Sequence, residues 1–247
     1  MTRLAYDRYI ELLHHDGGLL GSAARHHLDS AVPWCPGWDV REAVRHTASV
    51  YRHKVACMQL GRSPAEDGWI KAPAPHEDLE LWFQDSLELL LDELRSRNPD
   101  EATVTWWPPE QNVGFWARRM ALETAVHRVD VESASSAVTP VDPALALDGV
   151  DEVLRIFLTA RDAPPAGGGS EHSVSVLSAG EAWTVRLAPR GVSTASGASE
   201  SANAQLSGDS EAVFLYLWGR APLDALHVTG DRAAVDALRE RLAAATQ

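Results

Sequence analysis

Residues Glu77–Arg97, EDLELWFQDSLELLLDELRSR, place Leu79, Phe83, Ser86, Leu87, Leu90, Leu91 and Leu94 at helical spacing. Side chains three and four apart share one face of a helix, so this segment reads as a long helix with a single apolar stripe. Asn98-Pro99 ends it, because the residue before a proline is pushed out of the helical region. A stripe of this kind is core, not a cofactor-binding face, and it needs partner helices to cover it. Three more segments have helical character: Leu4–Leu20, one that opens at Trp38, and Val113–Val131. Four long helices predict a bundle. The second has a start signal in Pro36-Gly37-Trp38-Asp39-Val40-Arg41-Glu42, where Asp39 caps the free amides and Glu42 reaches back, fixing the first turn near Val40.

The character of the chain then changes. A further helix is expected over Pro143–Ala160, and Asp162-Ala163-Pro164-Pro165-Ala166-Gly167-Gly168-Gly169-Ser170 is its most loop-like stretch. A domain junction is placed in this region, and the division adopted is 1–142 and 143–247. Beyond the loop the apolar period becomes two: His172–Leu177, a Gly180 turn and Trp183–Leu187 predict a hairpin. Small residues over Gly191–Ala202 read as loop. After them come Asn203–Leu206, an Asp209-capped helix ending at Gly219, a short strand at His227–Thr229 and a last helix after Asp231. The class is α+β, a helical bundle followed by a small α+β unit, with no internal repeat.

Composition narrows the function. Of 247 residues, 22 are Lys or Arg and 35 are Asp or Glu, a net charge of −13 that disfavours nucleic acid, whose phosphates need a basic surface. Apolar residues at 45% and charged residues at 23% are the mix of a folded soluble chain. No apolar run approaches the ~20 residues that span a bilayer, so no membrane role is expected. Cys35 and Cys57 cannot build a disulfide framework, and the acidic, histidine-bearing first residues do not read as a signal peptide, so a cytoplasmic location is expected. Nine tryptophans stand beside four Tyr and four Phe, and seven of them precede residue 120, which suggests a deep core or a lined pocket in the first half.

The fourth helix carries the chemistry. Phe115, Leu122, Val126 and Val129 form one stripe; Trp116, Met120, Glu123, His127 and Asp130 form a second about 100° round. Glu123 and His127 are one turn apart and face the same way, either as a solvated pair on an exposed face or as two ligands of one ion. His46 lies on the margin of the Val40, Val44, Thr47 and Tyr51 stripe, where a bundle can bring it opposite the fourth helix. Two histidines and a carboxylate suit a divalent metal, above all Zn2+, with a position left for water or substrate. His53, seven residues on, is about 10 Å along the axis and reads as pocket lining or surface. Asp130 can orient a ligand or sit as surface charge.

Three segments carry a family resemblance: Pro33-Trp34-Cys35-Pro36-Gly37-Trp38-Asp39-Val40-Arg41 with His46 after it, Glu123-Thr124-Ala125-Val126-His127-Arg128-Val129-Asp130, and Leu217-Trp218-Gly219-Arg220. Together they resemble the actinobacterial mycothiol-dependent maleylpyruvate isomerase family over nearly the whole chain. The resemblance implies a DinB-like four-helix bundle that holds zinc, a sterol-carrier-like C-terminal domain, and His46, Glu123 and His127 as the metal ligands. It implies mycothiol as the thiol cosubstrate and a small electrophile as substrate, isomerised or conjugated. By the same resemblance Arg220 reaches the active site as a carboxylate-gripping guanidinium, a catalytic role; its residue-level alternative is a helix-end Arg offsetting the dipole. The alternatives to an isomerase are a thiol S-transferase in detoxification or secondary metabolism and a non-catalytic metal- or ligand-binding DinB-like protein. A bound apolar ligand in the C-terminal domain is a third.

Other residues point to less. Cys35 precedes a helix, where a thiol pKa can fall, yet its proline neighbour makes it structural. His14-His15 and His26-His27 diverge by about 100° within each pair, so neither chelates. Trp106-Trp107-Pro108-Pro109 reads as pocket wall or core plug. A monomer or a homodimer is expected, with no interface legible.

Overall fold

The computed structural model describes residues 3–135, 138–160 and 171–246, and the Asp162–Ser170 stretch lies outside them. The chain forms two compact units that divide between Pro140 and Val141.

The first unit is a bundle of α1 (Tyr6–Ala24), α2 (Val40–Leu60), α3 (Leu79–Arg95) and α4 (Val113–Ser133). Each of the last three begins at a side chain that accepts the bundle's free amides. Asp39 accepts from Glu42 N at 2.8 Å, Asp78 from Glu80 N and Leu81 N, and Asn112 from Phe115 N at 2.9 Å. Gly61 ends α2 in the left-handed region at φ +62°. Glu42 does not close a reciprocal box with the cap: its carboxylate is taken by the Arg45 guanidinium, whose Nε donates at 2.9 Å. A charged fork three residues on outcompetes a neutral amide for that carboxylate.

The α3 stripe is core as expected, with Phe83, Ser86, Leu87, Leu90, Leu91 and Leu94 buried and Trp82 beside them. α4 is different in kind. It is buried nearly all round, charged residues included: Arg118, Arg119, Arg128, Asp130 and Glu132 are all in the interior. Arg128 donates from Nη1 to Glu132 Oε2 at 2.6 Å and to Thr139 O at 2.6 Å, while its Nε lies 3.2 Å from Asp16 Oδ1 on α1. Tyr51 on α2 and Thr124 on α4 share a buried hydrogen bond of 2.6 Å. Before α2 the chain makes a tight loop, with Val32 N bonded to Trp38 O and Ala31 bridged to Asp39, and this fixes Trp38 at the head of the helix.

The second unit opens with α5 (Pro143–Glu152), which runs through a π-helical turn at Val153–Phe157 into α6 (Leu158–Ala160). Five strands follow: β1 (His172–Ser178), β2 (Glu181–Ala188), β3 (Gly191–Ser196), β4 (Ala204–Gly208) and β5 (His227–Gly230), in spatial order β3-β2-β1-β4-β5. β1 and β4 are parallel; the other pairs are antiparallel. α7 (Ser210–Leu217) and α8 (Arg232–Thr246) complete the unit, and Asp209 caps α7 as read. Val174, Val176, Trp183, Val185, Leu187 and Leu206 are buried on the sheet, and Phe214, Leu217, Val235 and Leu238 on the helices.

One expectation is corrected here. Gly191–Ala202 is not all loop, because Gly191–Ser196 is an edge strand paired to β2 from Ala188↔Gly191 to Trp183↔Ser196. None of its residues is fully buried, so no apolar alternation marks it; backbone pairing makes the strand, helped by Thr194 Oγ1 donating to Leu154 O at 2.7 Å. Among the described residues no helix is long and apolar enough to cross a membrane.

The Arg128 cluster predicts a large stability loss from a small change. Arg128→Met leaves Asp16 and Glu132 buried without their common cation, which costs about 3–5 kcal/mol. Denaturant unfolding, followed by helical circular dichroism, should show the midpoint fall with an unchanged slope.

Candidate metal centre

Two elements of the bundle supply three convergent side chains. His46 comes from the second turn of α2, and Glu123 and His127 come from successive turns of α4. Glu123 Oε1 stands 3.5 Å from His46 Nε2 and 3.3 Å from His127 Nε2. One ligand atom from each of the three lies within 4.8 Å of both others. Four-coordinate zinc with bonds of about 2.1 Å holds its ligand atoms about 3.4 Å apart. The two nitrogen–oxygen separations match that spacing, so the donor set suits such an ion.

Glu123 and His127 are each held from behind by a buried charged group. Asp130, wholly buried, takes His127 Nδ1 at 3.0 Å, which leaves Nε2 turned towards Glu123. A carboxylate on the far nitrogen fixes the ring and raises its basicity as a ligand. Cys35 Sγ donates to the same Asp130 oxygen at 3.5 Å. Arg119 Nη2 donates to Glu123 Oε2 at 3.0 Å. Trp38 packs on both imidazoles, stacked at 17° on His127 with centroids 6.0 Å apart and tilted against His46 at 5.0 Å.

The electrostatics follow from this crowding. Burial disfavours the charged form of Glu123, but hydrogen bonds from His127 and His46 and the charges of His127 and Arg119 hold its carboxyl well below the carboxylate range. Burial likewise disfavours the imidazolium of His127, yet Asp130 and Glu123 outweigh it and raise the group to about 9. Exposure falls from 35% at the His46 side chain to 17% at Glu123 and 10% at His127. The cluster therefore opens to solvent on the His46 side.

The expected residues separate accordingly. His46, Glu123 and His127 come together, and Glu123–His127 is not a solvated surface pair. His53 lies apart from them, half-buried against the Trp69 ring at 4.5 Å, with burial and the Lys54 charge lowering it to about 4. Trp116 is buried and donates to Val104 O, while Trp106 packs edge-on against Phe115. Arg220 belongs to the second unit, past the end of α7, where its Nη1 donates to Trp218 O at 2.7 Å. Sequence reading missed Arg119. The only signal available was its spacing of four from Glu123, which is common on any helix.

The domain family described as Mycothiol maleylpyruvate isomerase N-terminal domain matches residues 14–132, and the one described as MDMPI C-terminal domain matches residues 144–237. A crystal structure of the mycothiol-dependent maleylpyruvate isomerase aligns with a TM-score of 0.63 and 13% identity, covering 94% of this chain and 97% of that one. A point variant of that isomerase gives a TM-score of 0.64 at the same identity and coverage. At this identity the likeness speaks for the fold. No curated protein matches the sequence.

The raised His127 gives the metal-free protein a pH-dependent stability. The group sits near 6.5 in the unfolded chain and at about 9 in the folded one, so folding holds the proton more tightly. Its stabilisation is complete below the unfolded value and is lost as pH rises through the folded value. Urea unfolding of chelator-treated protein should therefore weaken between about pH 6.5 and 9, and Asp130→Asn should flatten that slope.

Proposed function

This chain belongs to the mycothiol-dependent maleylpyruvate isomerase family, and from that premise we propose a metal-dependent, thiol-using enzyme that isomerises or conjugates a small electrophile. His46, Glu123 and His127 would hold a divalent ion, with Zn2+ the one best suited to two imidazoles and a carboxylate. The observation that carries the reading is the pair of Oε1-to-Nε2 separations, 3.5 and 3.3 Å, between side chains of two helices. When bound, such an ion takes a thiol in its remaining position and stabilises the thiolate, the form that attacks electrophiles.

The chain's own residues do the rest. Asp130 keeps the Nδ1 proton of His127 and so presents Nε2 as a ligand. Trp38 closes one side of the two rings and limits their rotation. His46, the most exposed of the three, leaves the approach from solvent open. Neither cysteine is placed to be the nucleophile. Burial raises the Cys57 thiol, and Cys35 donates its proton to a carboxylate. The attacking sulfur is then that of a cosubstrate, for which mycothiol is the family's thiol. Arg220 is assigned the recognition of a substrate carboxylate, because a guanidinium grips a carboxylate through two hydrogen bonds.

Metal analysis tests the site. Purified protein should carry about one equivalent of zinc, and His46→Ala, Glu123→Ala and His127→Ala should each lose it. Stoichiometric metal in all three variants would falsify the assignment. Turnover tests the chemistry: mycothiol with maleylpyruvate should give the isomer with thiol regenerated, whereas a transferase would leave a thioether product. Metal-loaded protein that consumes neither maleylpyruvate nor simple electrophiles would favour a binding role.

Arg220→Ala has its own expected outcome. Losing one charge-assisted pair costs about tenfold or more in KM for an anionic substrate, with metal content unchanged. An unaltered KM would leave Arg220 as a cap on the α7 carbonyls.

A further inference from the structure

The two oxygens of Glu123 have different neighbours. Oε1 faces both imidazole Nε2 atoms, at 3.5 and 3.3 Å, whereas Oε2 accepts from Arg119 Nη2 at 3.0 Å. The Arg119 side chain is only 3% exposed. Arg119 and Glu123 are one turn apart on α4. On a surface helix such a pair drifts in and out of contact and contributes little. On a helix buried all round, the guanidinium has given up its hydration and stays where its donors are used. A charge-assisted bond in that setting is strong and directional.

A carboxylate can ligate a metal through one oxygen or through both. We infer that Arg119 is a positioning residue that holds Glu123 to a single donor oxygen, Oε1, and so keeps open for a thiol the coordination position that a two-oxygen carboxylate would occupy. This rests on the metal-site reading above. It gives Arg119 a role that neither Asp130 nor Trp38 can fill, since both act on the histidine rings. A guanidinium N–H donates along a direction fixed by its rigid plane, where a lysine ammonium supplies only a point charge.

Cobalt-loaded protein tests the inference, with N-acetylcysteine as the thiol probe. Arg119→Met removes the donors and keeps the length of the side chain. R119M should retain Co2+ about as well as wild type, because its carboxylate is free to use both oxygens. Its visible absorption should weaken several-fold as the coordination number rises. Its affinity for N-acetylcysteine, read from the sulfur-to-cobalt charge-transfer band, should fall about 10-fold or more. A purely structural role would instead lose metal and thiol together, and that result overturns the inference. So does an R119M protein with the wild-type cobalt spectrum and thiol affinity.

If R119M does not fold, infrared difference spectra of wild-type protein, zinc-loaded minus metal-free, with 13C-labelled glutamate decide the matter. A wide gap between the asymmetric and symmetric carboxylate stretches marks one-oxygen ligation and supports the role; a narrow gap overturns it. Wild-type protein that binds neither Co2+ nor the thiol overturns the metal site itself. Wild-type protein that binds both, beside an indistinguishable R119M, overturns only the role of Arg119.

Discussion

A helix buried on every side can carry ionisable groups only if each finds a partner, because an unpaired charge in the interior costs several kcal/mol. α4 is that helix, and the rest of the bundle is arranged around its pairs. Arg128 ties it to α1 through Asp16 and to the following chain through Thr139. Arg119, Glu123, His127 and Asp130 form a continuous run of contacts along one side. α2 meets that run at His46. The candidate site is thus the solvent-facing part of a helix whose other charges are paired in the core.

This arrangement explains the division between what the sequence disclosed and what it concealed. The α3 stripe was legible because apolar residues at helical spacing have one physical meaning when the opposite face is polar. The α2 start was legible because a short polar side chain before a helix has one use there, accepting the free amides. α4 offered no such contrast. Charged residues occur all round it, and periodicity alone takes charge as a sign of solvent. Its burial shows only when the pairing partners, Asp16 on α1 among them, are known in three dimensions. Glu123 and His127 could be seen to share a face, but whether that face met water or His46 depended on the packing of a second helix. Trp38 and Cys35 entered through a loop whose internal hydrogen bonds no local pattern announces.

The second unit shows the same limit in a sheet. The β1–β2 hairpin was legible from Val174, Val176, Trp183, Val185 and Leu187, which alternate because one face of each strand is core. β3 was not, since an edge strand whose one larger apolar residue is Val192 is held mainly by main-chain bonds and buries little. Amphipathic alternation reports burial, and it fails where a strand forms without burial.

Burial also bears on where the reactive sulfur comes from. A thiol becomes a nucleophile by losing its proton near positive charge. Cys57 has His53 Nδ1 3.6 Å away and feels the Lys54 charge, but burial outweighs that charge and raises its thiol, and Cys35 lies against the carboxylate that already holds His127. A site built from two imidazoles and a carboxylate keeps its own sulfur out of the coordination set. The chain presents two side chains braced by buried charges and one side open at His46, an arrangement that suits the proposed use of a thiol taken from solution.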